Sequence, residues 1–207
     1  RDVLLSWMEA NPYARGVNWG IAMEPAMRIF TWTWLFQVFG DSEPWREPIF
    51  RRQFLSMLYR HAEFVLRYIE DFGSGGNHLV ADAAGLVMAG LFFGDNGPAQ
   101  AWAEEGWSIL TREIVRQVEP DGVDYEASMA YHRFVADLFA WPARARAGLG
   151  REVPEFYHRT LAAMVDFTHA AQGPDGAFPL WGDNDDGRVL PIELDAETPP
   201  PSAQPVS

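Results

Sequence analysis

The chain has no cysteine and no lysine. Without Cys there is no disulfide and no thiolate-bound metal, although that absence leaves the compartment open. Without Lys, all sixteen basic residues are Arg, against twenty-nine acidic ones, for a formal net charge of -13. A balance of that sign argues against a nucleic-acid partner, which needs a basic face. It weighs less against an acidic glycan, because Arg is the better fork for carboxylate or sulfate and a few can line a cleft. Long apolar runs are scarce as well. Mean hydropathy is -0.17, charges break every run, and no segment is expected to span a membrane. Strand-type alternation is missing. The opening "RDVLLSWMEANPYARG" lacks a basic leader, apolar core and cleavage site, so no signal peptide is expected there, and the sequence reads as the middle of a longer protein.

What is present is helical periodicity in 207 residues that are 48% hydrophobic, enough for one substantial core. Met23, Met27, Phe30, Trp34 and Val38 are spaced for one helix face. After "DSEPWREP", a turn and helix start, a long helix carries Phe50, Phe54, Met57, Leu58, His61, Phe64, Val65 and Tyr68. A very apolar helix follows the glycines of "FGSGG" and closes at "GDNGP". Pro98 opens a helix through Trp102, Ile109 and Val115. Another is expected from about Asp124 to Leu149, bent near Pro142, and one more from Pro154 to Gln172. "GPDGAFPLWGDNDDGRVLP" has turn chemistry, and "ETPPPSAQPVS" reads as a linker or tail. The expected fold class is all-α, built from antiparallel helix hairpins, with a domain over residues 1–194 and a tail over 195–207. Bundle, solenoid and toroid stay open at this point.

Four polar groups interrupt the helices. In "GGNHLVADAAGLVMAGLFF", Asn77 stands where a helix cap would, and His78 beside it is placed to meet a carboxylate of a neighbouring helix. In "DGVDYEASMAYHRF", Asp124 is a candidate cap and Glu126 falls in a favoured first turn, while the adjacent Tyr131 and His132 must face different sectors. A buried Tyr with a bonded hydroxyl is the plain expectation for Tyr131. In "NWGIAMEPAMRIF", Glu24 and Arg28 are spaced to pair on one face. In "PLWGDNDDGR", Asp183, Asp185 and Asp186 hint at a calcium loop. Gly187 comes one place early for that loop, and Leu194 stands where a bidentate Glu belongs, so no metal site is expected.

Taken in order, these four stretches resemble the N-terminal helical domain of the heparinase II/III and alginate lyase superfamily. The resemblance implies an incomplete (α/α) toroid, normally followed by a β-sandwich, in a polysaccharide lyase that acts on an acidic, uronate-containing polysaccharide without a cofactor. Asn77 then matches the Asn that neutralises the substrate carboxylate. His78 matches the His that follows it, as neutraliser or base, and Tyr131 matches the catalytic Tyr. Trp19, Arg28 and Trp181 are candidates to line the sugar path. The family also draws a catalytic His from its β-sandwich; His158 and His169 have no matching context. Two other readings keep the fold: an inverting glycoside hydrolase using Glu126 with Asp183 or Asp185, and a non-catalytic carbohydrate-binding domain. The compartment implied is periplasmic or extracellular, and the sequence does not encode an oligomeric state.

Overall fold

The structure, a computed structural model, describes residues 1–73, 75–94, 97–184 and 187–190. The expected tail from 195 and the residues Asp185 and Asp186 lie outside these, as does the boundary at 194. Among the described residues the chain is helical throughout, with one isolated antiparallel bridge between Val118 and Asp124 and no strand. The helices are α1 (Asp2–Ala10), α2 (Met23–Phe39), the short α3 (Glu43–Arg46), α4 (Pro48–Arg67), α5 (Gly76–Phe93), α6 (Pro98–Gln117), α7 (Met129–Gly148) and α8 (Glu155–Ala171). A single 3-10 turn, Val17–Trp19, leads into α2.

Several starts follow directly from local chemistry. Pro48 and Pro98 sit in the first turns of α4 and α6, where a missing N–H costs nothing. The Glu47 carboxylate accepts from the backbone N–H groups of Ile49 and Phe50, at 2.9 and 2.7 Å, and so caps α4. Ser128 does the same for α7, accepting from the N–H of Tyr131. That places the start of α7 at Met129, later than the expected Asp124. Asp124 is no cap; it is fully buried before the helix, and its Oδ1 accepts from the N–H of Glu126 in a tight turn. Likewise Asn77 is not the cap of α5. Gly75 holds that position and Asn77 lies inside the first turn. The helix α1 had no counterpart in the sequence reading.

α5 is the centre of the molecule and packs against α2, α4, α6 and α7. Leu79, Val80, Ala83, Ala84 and Val87 belong to a core shared with α6, α7 and α8. Leu86 and Ala89 face a second core of Ile29, Trp32, Trp45, Phe50, Phe54 and Trp102. A helix with core on all sides is apolar all round. α5 is in fact the one described helix long and apolar enough to cross a membrane, with 18 residues of mean hydropathy 1.3. This corrects the expectation that no run reaches that length; the packing of four neighbours around it supplies the apolar surroundings here. The stripe assigned to α2 also needs correction. Of it only Phe30 is fully buried, beside Ala26, Ile29 and Thr33, whereas Trp34 and Val38 are exposed. Tyr68 and Val115 are exposed in the same way.

Close helix approach rests on small residues. A Cβ added at Gly106 in α6 would lie 2.4 Å from the carbonyl oxygen of Ala83 in α5, and 3.0 Å from Leu86 Cβ. Gly148, at the end of α7, faces open space. Alanine therefore has opposite effects at the two sites. Gly106→Ala is expected to lower stability by about 1–3 kcal/mol through overpacking against backbone, and Gly148→Ala to raise it by up to about 1 kcal/mol through helix propensity. Denaturant unfolding of both variants checks the contrast.

Asp82 introduces the one acid buried within α5. Its Oδ2 accepts from the backbone N–H of Glu70 at 2.9 Å, while Oδ1 has no partner. Burial, reinforced by the charge of Glu70 and opposed by that N–H, pushes its carboxyl up to about 8. The folded protein therefore keeps a proton that the unfolded chain releases near 3.8. Stability from this group is full below that value and declines as pH rises towards 8, by at most about 1.4 kcal/mol per pH unit. Asp82→Asn is expected to flatten this decline, read as the change in Tm between acidic and mildly alkaline buffers relative to wild type.

Candidate functional site

The N-terminal end of α5 is where the four polar stretches meet. Gly76 opens the helix with φ of 56°, a conformation that suits glycine, and a Cβ there would lie 2.7 Å from Oε1 of Glu126. That gap lets the Glu126 carboxylate reach the helix. Its Oε1 accepts from the backbone N–H of Asn77 at 2.5 Å, and its Oε2 accepts from Asn77 Nδ2 at 2.8 Å. One carboxylate thus caps α5 from a different segment and fixes the Asn77 amide, a favourable place for negative charge at a helix N-terminus. The second proton on Nδ2 and the amide oxygen are not used by this pair.

His78 is held by another acid. Its Nδ1 lies 3.1 Å from Oε2 of Glu70, and the same oxygen accepts from the N–H of Met23 at 3.2 Å, tying the start of α2 to the site. Glu70 is buried, whereas the His78 side chain is 44% exposed.

The turn that carries Glu126 is braced from below. Asp124 N–H donates to His132 Nδ1, whose Nε2 in turn contacts the Met164 carbonyl and Thr168 hydroxyl at 3.1 Å each. His132 is therefore a neutral bridging imidazole, and burial lowers its pKa. Burial, with the Glu126 charge beside it, raises Asp124 to about 6, its Oδ2 having no partner. Ala127 completes the turn at φ of 54°, a strained value for a residue with a Cβ. The fourth stretch returns to the start of α7: Ser128 Oγ donates to the Asp183 carbonyl at 2.5 Å, and Met129 N–H to the Trp181 carbonyl at 3.1 Å. Tyr131, half-buried, follows on the first turn. Asn77 and His78, expected from the sequence, thus lie together at this corner, while Glu70 and the pairing role of Glu126 were not expected. A Glu eight residues before a His gives no periodic signal.

The other candidates fare differently. Trp181 is 55% exposed beside this corner. Trp19 is only 5% exposed, packed against Tyr13, His61 and Phe64. The sugar-stacking face expected of it is covered. Arg28, also mostly buried, lies over Trp7 and Trp19 at 5.0 and 5.3 Å from the ring centroids. It donates to the Asn18 carbonyl and to His61 Nε2, and pairs with Glu24 as its spacing foretold. Burial brings Arg28 down to about 10, and burial with the adjacent Arg28 charge brings His61 to about 3. These two residues clamp the turn before α2 and do not line a sugar path. Both Glu126 oxygens are engaged by Asn77, which leaves it poorly disposed to form a hydrolytic pair with Asp183. His158 and His169 are exposed on α8, in agreement with leaving them aside. No cluster of three metal-binding side chains occurs among the described residues.

Comparison with known proteins gives a consistent result. Heparin-sulfate lyase of Bacteroides stercoris is 32% identical over 163 residues, which cover 78% of this chain and 24% of that protein. Heparin-sulfate lyase of Pedobacter heparinus is 30% identical over 151 residues, 72% of this chain and 22% of that protein. The chain thus spans about a quarter of the length of these relatives. Among solved structures, a crystal structure of heparinase III superposes with a TM-score of 0.72 at 24% identity, covering 84% of this chain and 27% of that one, a likeness of fold. Heparan sulfate lyase from Pedobacter heparinus gives 0.66 at 25% identity, covering 86% and 28%. The helical array is accordingly the incomplete toroid that the resemblance implied. The family profile described as "Heparinase II/III N-terminus" matches residues 2–192, and the chain belongs to that family.

Proposed function

We propose that this chain is the helical part of a polysaccharide lyase that cleaves a uronate-containing glycan by β-elimination. The names of its relatives make a glycan of the heparin and heparan sulfate type the first substrate to offer. The observation that carries the reading is the corner at the N-terminus of α5, where an amide and a half-exposed imidazole are each fixed by a carboxylate from another segment.

The chemistry requires such a corner. Elimination removes the proton beside the uronate carboxylate, forms a carbon–carbon double bond and expels the glycosidic oxygen. Negative charge gathers on the carboxylate as the proton leaves, so donors placed there stabilise the transition state more than the ground state. Asn77 offers the remaining Nδ2 proton to the carboxylate, and the positive end of α5 adds to it. His78 stands next to it as neutraliser or base. Tyr131 carries the proton of the leaving oxygen, a task suited to a phenol. Trp181 supplies an exposed face for the sugar. The compartment that fits such a glycan is the periplasm or the cell exterior.

The test uses the full-length natural protein with a panel of uronate glycans, following the ultraviolet absorbance of the unsaturated sugar. Wild type is expected to produce it. Tyr131→Phe and Asn77→Ala are expected to lower kcat/KM by about 10²–10⁴-fold. New reducing ends without absorbance would replace elimination with hydrolysis, and sugar binding without either product would leave a binding domain.

A further inference from the structure

We propose that Glu70 is a positioning residue for His78: its carboxylate takes the Nδ1–H of the imidazole and leaves Nε2, with its lone pair, as the atom offered to the substrate. The proposal deepens the lyase reading and rests on it for the role of His78. Glu70 lies in the segment after α4, not on the helix it serves, and three contacts hold it in place. Its backbone N–H donates to Asp82 Oδ2 at 2.9 Å, and its Oε2 accepts from Met23 N–H at 3.2 Å and faces His78 Nδ1 at 3.1 Å. Asp82 lies four residues beyond His78, on the same face of α5, so the segment carrying Glu70 runs along the His78–Asp82 stripe.

Which partner holds a proton follows from this geometry. Asp82 is fully buried with one oxygen unpartnered, whereas Glu70 uses one oxygen to accept from two nitrogens. The stable arrangement has Asp82 neutral and Glu70 ionised, a state that burial of Asp82 favours. An ionised carboxylate only accepts, so the ring proton must sit on Nδ1. Among the described residues Nε2 has no hydrogen-bond partner. In the elimination, Nε2 accepts the proton from the carbon beside the uronate carboxylate. The C–H electron pair becomes the double bond, the glycosidic C–O bond breaks, and Tyr131 protonates the departing oxygen. The imidazolium so formed is balanced by Glu70, as an orienting carboxylate does for a catalytic His elsewhere. A mere tie between loop and helix would make no demand on the tautomer.

Glu70→Ala separates the two. With the acceptor of the Nδ1–H gone, nothing holds the proton on Nδ1, and the ring reverts to the Nε2–H form that an unconstrained neutral imidazole prefers. The full-length protein, labelled with ring-15N histidine, is examined at about pH 7.5, where an ordinary imidazole is largely neutral and Asp82 still holds its proton, with His78 assigned by the loss of its signals in His78→Asn. Wild type is expected to show the Nδ1–H tautomer and Glu70→Ala the Nε2–H tautomer. With turnover followed in parallel, kcat is expected to fall about 10–100-fold, the usual range for losing an orienting partner, with KM little changed. An Nε2–H tautomer in wild type overturns the proposal without reference to any variant, which also covers a Glu70→Ala protein that does not fold. A flipped tautomer with undiminished kcat overturns it as well. A tautomer that flips as expected in a protein releasing no unsaturated sugar upholds the pairing and removes the lyase reading instead.

Discussion

The structure depends on burying one helix on every side while leaving its first turn accessible. A helix start presents N–H groups that must find acceptors, and the segment entering α5 is glycine, which has no side chain to provide one. The acceptor comes from 49 residues away, as the Glu126 carboxylate on Asn77. Everything around that contact can be understood as support for it. Gly76 makes room, Asp124 and His132 hold the turn that bears Glu126, and Ser128 both caps α7 and anchors the returning segment of Trp181 and Asp183. Capping in trans links helix formation to tertiary assembly, since α5 is capped only once the turn before α7 has docked.

The same contact raises an electrostatic difficulty. Four acids, Glu70, Asp82, Asp124 and Glu126, crowd the start of a helix proposed to receive a uronate, in a protein of net charge -13. Bare, they would repel the substrate. Burial holds the proton on Asp82 up to about 8, so near neutral pH that acid is mostly uncharged, while Asp124, raised to about 6, gives up its charge only in mildly acidic solution. Glu70 and Glu126 are committed to N–H groups of Asn77, Met23 and His78. The positive pole of α5 is roughly half a charge and opposes what remains. Local field and global charge therefore diverge, and composition alone says little about what this corner attracts.

Legibility in the sequence follows from which signals are local. Helix periodicity, Pro at first turns and glycine punctuation gave the all-α class and most helices, because those features act within a few residues. Asn77, His78 and Tyr131 came forward through the motifs of the family resemblance, and the structure sets the first two side by side, each against a carboxylate from another segment. What escaped was set by tertiary packing. The buried face of α2 is chosen by its contact with α5, which displaced Trp34 and Val38 from the core. Trp19 and Arg28 looked suited to a sugar path since an aromatic and a guanidinium bind sugars and acids well, yet the same affinities make them pack on each other. Glu70 and the trans cap by Glu126 could not be seen, as the chain brings them to α5 from separate segments.

Placing the amide and imidazole on α5 also gives the proposed site a physical reason to sit on the most apolar helix. A catalytic group must keep its geometry within a fraction of an ångström, and a helix packed by four neighbours moves less than a loop. The penalty is that any polar group entering such a helix must be matched one for one. Asn77 and His78 meet that demand through Glu126 and Glu70, and Asp82 meets it by keeping its proton. Removing one partner would therefore disturb orientation before it disturbed the fold, because the apolar contacts that hold α5 in place lie further along the helix, from Leu79 onward.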